Sequence, residues 1–354
     1  RKLEYGKLVT PLPDRNYPVY RWFQMKESFS SAIVKMLAES WQPFEKPVLD
    51  PFCGAGTTLL GCKELDIESI GLERHPFLFF VTKTKTNDYE LESLDRLRRE
   101  ILNSEFEPVE EEVPRFIQRL FPKGVLREIL FFRHLIREIS DEASRDFFKL
   151  ALVRSAVECS WIKKDGAVIK VVPRRLPPFR RSFEKIVNEM FEDLKIFPKT
   201  GATAEVRLED ARQTTLPELS VGAVITSPPY LFKCEYIREF AVEQWIAEIP
   251  EPDPTHLVGG KNPDDPDLYF RDMESALAEL YRVCAPGAKI CMVVSDGGSK
   301  RGVVEVCTRL SELARDAGFK AKKIVVVNER WCTSPSRKKI GILRESLLFW
   351  EKPA

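Results

Sequence analysis

Asp50-Pro-Phe-Cys-Gly-Ala-Gly-Thr-Thr58 is the stretch that decides the fold. It follows Lys46-Pro-Val-Leu-Asp50, which is typical of a short strand, and it precedes Leu59-Leu-Gly-Cys-Lys-Glu-Leu65, which has helical periodicity. Gly54 and Gly56 let the backbone bend tightly and approach a ligand closely. The stretch therefore predicts a strand, a ligand-binding loop and a helix in succession.

A carboxylate at the end of the next strand narrows the kind of ligand. Ser69-Ile-Gly-Leu-Glu73 is typical of a short strand, and its last residue comes 23 positions after Asp50. Rossmann-like units hold a ribose diol with an acid at about this distance. Thr57 or Thr58 is expected to cap the intervening helix, whose N-terminus favours a carboxylate. The pattern indicates a nucleoside ligand with a charged tail.

A second motif, Thr226-Ser-Pro-Pro-Tyr230, follows the apolar run Val221-Gly-Ala-Val-Ile225. Its prolines restrict the backbone, so the Ser227 hydroxyl and the Pro228 carbonyl are expected to be rigid acceptors without a nearby partner, ready for an NH2 group. Tyr230 offers a flat face for stacking a base, worth about 1–3 kcal/mol. The alternative is a proline-rich turn after a buried strand.

The two motifs together resemble those of the amino-methyltransferases that use S-adenosylmethionine to methylate exocyclic amines of bases. The resemblance covers roughly residues 18–85 and 200–350. It implies an α/β fold of the Rossmann-like class I methyltransferase type, with a seven-stranded, mostly parallel sheet and a helical insertion. It also implies S-adenosyl-L-methionine as the cofactor.

The resemblance carries over to further residues. Glu73 is similar to the ribose-binding acid, although the family more often has Asp followed by a tripeptide other than Arg74-His75-Pro76. Glu209-Asp210-Ala211-Arg212 resembles the adenine-binding motif. Phe29 lies in a predicted helix, Tyr20 to Leu37, which resembles the helix that precedes the family's cofactor motif but is equally typical of an amphipathic core helix. The implied cofactor-binding residues are Phe29, Asp50, Pro51, Phe52, Cys53, Gly54, Gly56, Thr57, Thr58, Glu73, Arg74, Asp210, Ala211 and Thr226.

The implied catalytic residues are Ser227, Pro228, Pro229 and Tyr230. Hydrogen bonds from both N–H groups of an exocyclic amine to Ser227 and the Pro228 carbonyl would redirect its conjugated lone pair toward a methyl group. Serine at 227 favours cytosine N4 within the family, and adenine N6 is the alternative. No Pro-Cys dipeptide occurs, which disfavours a covalent route to cytosine C5. A third alternative is a binder with an inactive cofactor pocket.

The charges of the chain nearly cancel, with Lys+Arg 55 against Asp+Glu 54, but their distribution is uneven. Basic runs at 161–181, at Lys320-Ala-Lys-Lys323 and at Arg337-Lys-Lys339 are expected to track phosphates on both sides of the catalytic motif, or else to be solvated surface. The nucleic-acid-binding residues predicted are Lys163, Lys164, Lys170, Arg174, Arg175, Arg180 and Arg181.

The identity of the nucleic acid rests on weaker signals. Thermophile-like use of charged residues, the want of an obvious target-recognition domain and a similarity to archaeal enzymes of ribosomal RNA favour structured RNA slightly over DNA. The expected product is a mono- or dimethylated cytosine amine.

Periodicity divides the 354 residues into three segments. Residues 1–86 hold the N-terminal helix and the first half of the core, 87–200 a mainly helical insertion with a basic hairpin turning at Asp165-Gly166, and 201–354 the second half of the core. Residues 250–267 are predicted to be a lid over the base or an ordinary long loop.

Other classes of site are disfavoured. The eight cysteines include no C-x-x-C pair, so neither a metal site nor a disulfide framework is predicted. No run approaches 18 apolar residues and no signal peptide is recognisable, so a membrane span is not expected and a cytoplasmic location is.

Overall fold

A computed structural model describes residues 1–165, 168–232, 236–251, 265–299, 302–333 and 339–354. Within these ranges, strands are found in one large sheet and two small hairpins. In chain order the strands are β1 (Val48–Asp50), β2 (Ser69–Leu72), β3 (Ile162–Asp165), β4 (Val168–Val171), β5 (Ala204–Arg207), β6 (Val221–Thr226), β7 (Cys284–Ser295), β8 (Gly297–Ser299), β9 (Gly302–Val304), β10 (Lys320–Thr333) and β11 (Lys339–Glu351).

Helices cover both faces of the large sheet and form the insertion. The α-helices are α1 (Ser31–Trp41), α2 (Thr57–Glu64), α3 (Pro76–Thr86), α4 (Leu91–Asn103), α5 (Arg115–Gln118), α6 (Lys123–Arg137), α7 (Glu142–Glu158), α8 (Phe179–Ile196), α9 (Tyr236–Glu239), α10 (Ala241–Ala247), α11 (Pro266–Val283) and α12 (Val306–Asp316).

The large sheet has the strand order β10-β11-β7-β6-β1-β2-β5. Every strand in it is parallel except β11, which pairs antiparallel with both β7 and β10. This architecture confirms the predicted Rossmann-like α/β fold. Because parallel strands end at one edge, Asp50, Glu73 and Thr226 come together at the carboxyl edge of the sheet.

The insertion is packed onto the rest of the molecule through a shared apolar core. Phe147 of α7 belongs to the same buried cluster as Phe77 of α3 and Phe240 before α10. Phe77 and Phe240 have ring centroids 5.5 Å apart. The division at residues 86 and 200 stays a prediction, since the cluster crosses both boundaries.

A buried carboxylate ties the N-terminal segment to the insertion. Asp193 of α8 is fully buried. It accepts hydrogen bonds from the Val19 backbone N–H at 3.1 Å and the Trp22 indole N–H at 2.9 Å, and it pairs with Arg21. Burial of a charge requires such partners, so this contact fixes the chain before α1.

The structure corrects several predicted boundaries. The helix expected from Tyr20 to Leu37 begins only at Ser31, because the Ser30 hydroxyl accepts from the Ala32 N–H at 3.2 Å and caps it. Phe29 therefore precedes the helix. The terminal strands β10 and β11 are long, since their pairing continues beyond the end of β7.

Some elements had no sequence prediction, and some predictions lie outside the described residues. Helix α12 and the β8–β9 hairpin were not anticipated. The basic hairpin forms as β3 and β4, with its turn residue Gly166 outside the described ranges. Most of the predicted lid, residues 252–264, also lies outside them.

Candidate active site

A cleft opens at the carboxyl edge of the sheet, where ligands bind in open α/β folds. It brings together residues from both sequence motifs. The predicted residues that line it are Phe29, Asp50, Pro51, Phe52, Cys53, Gly54, Thr57, Glu73, Arg74, Asp210, Ala211, Ser227, Pro228 and Pro229. Gly56, Thr58, Thr226 and Tyr230 are not among its lining residues.

The loop after β1 depends on two glycines in the left-handed region. Gly54 has φ +52° and Gly56 has φ +82°. A Cβ on Gly56 would lie 2.9 Å from Cγ2 of Thr82, and the Thr82 hydroxyl donates to the Gly54 carbonyl at 2.6 Å. The close approach that requires glycine at 56 is thus to α3.

The expectation that Thr57 or Thr58 caps α2 was wrong. Gly56 occupies the N-cap position without a side-chain cap. The Thr57 hydroxyl lies 2.8 Å from that of Ser28, and the Thr58 hydroxyl donates to Asp50 Oδ2 at 2.7 Å. Both threonines therefore hold neighbouring parts of the cleft in place.

Asp50 joins the two motifs. Its Oδ1 accepts from the Phe52 N–H at 3.1 Å and from the Thr226 hydroxyl at 2.5 Å, and Thr58 bonds its other oxygen. The residue is 2 % exposed. Burial raises the pKa of Asp50 to about 6, although its three hydrogen-bond donors oppose the shift.

Glu73 is fixed from two sides by backbone N–H groups. Its Oε2 accepts from Gly54 at 2.9 Å and its Oε1 from His75 at 2.8 Å. Burial raises the pKa of Glu73 to about 7 against the effect of these bonds. A carboxylate has room for further donors, so Glu73 can still accept from ribose hydroxyls.

Asp210 lies at the far side of the cleft. Its Oδ1 accepts from the Arg212 backbone N–H at 2.9 Å, and the Arg212 guanidinium pairs with it and with Asp272. Although burial acts against it, the hydrogen bonds and charge of Arg212 lower the pKa of Asp210. Asp210 therefore stays ionised over the working pH range.

The charges around the cleft favour a cationic ligand. Five carboxylates of the described residues line it, against the guanidinium of Arg74. These acids are Glu27, Asp50, Glu73, Glu209 and Asp210. S-adenosyl-L-methionine carries a sulfonium group, an ammonium group and a ribose diol, so it fits this group of carboxylates. A cofactor that carries phosphates would be repelled by them.

Ser227 follows β6 and lines the cleft. The sequence suggested that its hydroxyl has no nearby partner, but the structure gives it one. It donates to the Val293 carbonyl of β7 at 3.1 Å and lies 3.4 Å from the Tyr230 hydroxyl. When it donates to Val293, the Ser227 oxygen can still accept a hydrogen bond.

Tyr230 is 8 % exposed. Burial raises the pKa of its hydroxyl far above the usual range. Its role as a stacking surface for a base stays a prediction.

Sequence reasoning missed part of the cleft wall. Met25, Glu27 and Ser28 line it from the segment before α1, and Leu78 lines it from α3. Met25 Sδ lies 3.2 Å from the Cβ position of Gly54. Residues 25–28 fell inside the helix predicted from Tyr20 to Leu37, which assigned them no place in the cleft.

The predicted nucleic-acid contacts differ in exposure. Lys163, Lys170, Arg175 and Arg181 are exposed. Arg174 is exposed as well, although it donates to the Ser160 carbonyl. Lys164 and Arg180 are partly buried and donate to backbone carbonyls of their own chain.

The second basic run does not flank the catalytic motif as expected. Lys320 pairs in register with Glu351 at the amino end of β7, the opposite edge of the sheet from Ser227. Of the third run, Arg337 and Lys338 lie outside the described residues.

The fold and this cleft are similar to those of the amino-methyltransferases that modify bases. Residues 17–83 match the family model of the N6/N4 methyltransferases, which is described as a DNA methylase. The chain is thereby identified as a relative of the N4/N6 amino-methyltransferases, and the match supports S-adenosyl-L-methionine as cofactor.

Particular relatives extend the likeness beyond that segment. The chain is 25% identical to the Type II methyltransferase M.BsoBI of Geobacillus stearothermophilus, over 98% of this chain and 88% of the relative. It is 24% identical to the Type II methyltransferase M.AvaI of Nostoc sp., over 98% and 89%. A solved protein of Thermus thermophilus complexed with S-adenosyl-L-methionine is 20% identical over 41% of this chain and 51% of its own, with a TM-score of 0.27.

Two further findings concern the described part of the chain. Its helices include none with the length and apolarity to span a bilayer. The seven cysteines within it are all free and buried.

Proposed function

We propose that this chain transfers the methyl group of S-adenosyl-L-methionine to the exocyclic N4 amine of cytosine in DNA. The observation that carries the proposal is that Ser227 and Pro228 line the same cleft as the Asp50 to Ala55 loop. An acceptor pair for an amine and a pocket suited to a cationic nucleoside thus share one space. The description of the matching family model and the names of the Type II relatives favour DNA over the RNA expected from sequence.

The loop after β1, Glu73 and Asp210 would hold the cofactor. When bound there, S-adenosyl-L-methionine supplies an electrophilic methyl group. Asp50 can position the loop without contacting the cofactor, because its hydrogen bonds to Thr58 and Thr226 connect the loop to the catalytic motif.

The chemistry at the amine follows from the direction of the Ser227 hydrogen bond. Since its hydroxyl donates to the Val293 carbonyl, the oxygen accepts one N–H of the amine, and the Pro228 carbonyl accepts the other. Two acceptors held by rigid prolines orient the nitrogen and increase its electron density. The surplus N–H proton is lost to solvent after transfer, so no strong base is required.

Cytosine is proposed over adenine because position 227 is serine, as in the family members that lean to N4. Tritiated methyl transfer onto duplex DNA, single-stranded DNA and ribosomal RNA tests the polymer. Label in DNA is expected, and label confined to RNA would overturn the choice. Tight cofactor binding without any transfer would favour an inactive pocket.

A further inference from the structure

The β3–β4 hairpin has two chemically different faces. Its register places Lys163 opposite Lys170 and Lys164 opposite Ile169. Side chains alternate along a strand, so the first pair lies on one face and the second on the other. Lys163 and Lys170 are exposed, whereas Lys164 and Ile169 are partly buried. We call these the outer and the inner face.

The inner face is attached to the segment that contains α9 and α10. Lys164 Nζ donates to the Glu239 carbonyl at 2.6 Å and to Glu243 Oε1 at 2.5 Å, and it lies 5.0 Å from the centre of the Phe240 ring. The Glu243 side chain is 3% exposed, so its charge needs this partner. The Lys164 ammonium group is paired with Glu243 and is therefore not available to bind a phosphate.

This attachment point adjoins the cleft. The Phe240 ring is 5.5 Å from the ring of His75, which lines the cleft. The helices that hold Lys164, α9 and α10, are the first described helices after the catalytic motif. The hairpin is therefore anchored to a segment that contacts the wall of the cleft.

Four basic residues follow the hairpin, and two of them donate to backbone carbonyls. Arg174 donates to the Ser160 carbonyl at 3.2 Å, and Arg180 donates to the Leu102 carbonyl at 3.1 Å. Arg175 and Arg181 are exposed. Arg174 is also exposed, so Arg174, Arg175 and Arg181 extend the positive surface of the outer face.

We infer that the outer face of the hairpin binds the phosphate backbone of duplex DNA next to the target base, and that Lys164 fixes its position from behind. The inference rests on the proposed function, because it takes DNA as the substrate. Positive charge beside the catalytic cleft complements phosphates.

A matched pair of double variants tests it. Lys163→Ala with Lys170→Ala removes two outer-face charges, and Lys289→Ala with Lys320→Ala removes two exposed charges from the opposite edge of the sheet. Binding of a mixed-sequence duplex is measured by fluorescence anisotropy between about 50 and 200 mM salt. The outer-face variant should lose about 2 from the slope of log affinity against log salt, which reduces the salt-induced loss of affinity over this range by about tenfold.

The control variant should keep the wild-type slope, and both variants should keep wild-type affinity for S-adenosyl-L-methionine. Equal changes in the two variants, or an unchanged slope in the outer-face variant, would overturn the inference while DNA methylation by the wild type upheld the proposed function. Binding of RNA without binding of duplex DNA would contradict both.

Discussion

The proposed cofactor side and the proposed substrate side of the cleft are held in different ways. On the cofactor side, Asp50 and Glu73 each accept at least two hydrogen bonds from neighbouring backbone or hydroxyl groups. On the substrate side, the Ser227 hydroxyl is oriented by the Val293 carbonyl and the hairpin by Lys164. The carboxylates proposed to bind the small ligand are held in place by hydrogen bonds before it binds. The side proposed to face the polymer has exposed charged side chains and is fixed by the two contacts just named.

This difference has a physical basis. A small cofactor contributes few contacts, so disorder in its pocket would cost a large part of its binding free energy. A polymer contributes many phosphate contacts that tolerate adjustment. Variants on the two sides should therefore affect different measurements.

Ser227→Ala is the variant with the largest expected effect. It removes the acceptor for the amine, so turnover should fall by about tenfold to a thousandfold. Cofactor affinity, measured by calorimetry, should stay near the wild-type value, because Asp50 and Glu73 are untouched. Ser220→Ala, just before the other end of β6, is the matched control and should keep full turnover. Full activity of Ser227→Ala would show that other groups hold the amine.

Lys164→Met tests whether one ion pair fixes the substrate side. It leaves the Glu243 carboxyl buried without its cation, at the low end of the roughly 3–5 kcal/mol that such a loss costs the free energy of unfolding, because Lys164 is partly exposed. Urea unfolding measures the loss. Adding Glu243→Gln should recover most of it, and Lys163→Met on the outer face should cost little. Equal losses for Lys163→Met and Lys164→Met would remove the distinction between the two faces.

The pH dependence of cofactor binding sharpens the account of the cofactor side. Asp50 and Glu73 have pKa values raised to about 6 and about 7, so each becomes mostly protonated as the pH falls below its own value. A cationic ligand prefers the ionised carboxylates, and its affinity should fall as the pH drops from about 7.5 to 5.5, by up to about tenfold per unit for each group. Glu73→Gln should flatten the upper part of this calorimetric profile.

For the stability of the protein without ligand, the dependence on pH has the opposite sign to that of cofactor affinity. A folded-state pKa raised above the unfolded value favours the fold at low pH, so this contribution to stability is fully present below about pH 4 and is lost as the pH rises through about 6 to 7. Thermal unfolding of the wild type and Glu73→Gln across this range measures it. An affinity independent of pH would contradict the picture of a carboxylate-lined pocket for a cation.

The sequence predicted those parts of the fold that local patterns encode. Strands β1, β2 and β6 and the insertion helices were recognisable from short apolar runs and helical spacing, and the motif residues converge because parallel strands end at one edge. The same local reasoning failed at Thr57 and Thr58, whose hydroxyls bond to distant segments instead of capping α2.

Long-range contacts were beyond such reasoning. Nothing near Lys164 in the sequence reveals that Glu243 will be its partner, and nothing near Ser227 reveals the Val293 carbonyl. The position of Lys320 to Lys323 at the opposite edge depends on the direction of β10 relative to β7. Charge runs therefore predicted the type of surface but not which residues remain exposed.

The central claim is that Ser227 and the Pro228 carbonyl present a cytosine amine to the cofactor. Mass spectrometry of nucleosides from DNA methylated by the purified wild-type protein tests it most directly. The account predicts N4-methylcytosine, and that product should be reduced in step with turnover in Ser227→Ala. N6-methyladenine as the product would contradict the claim.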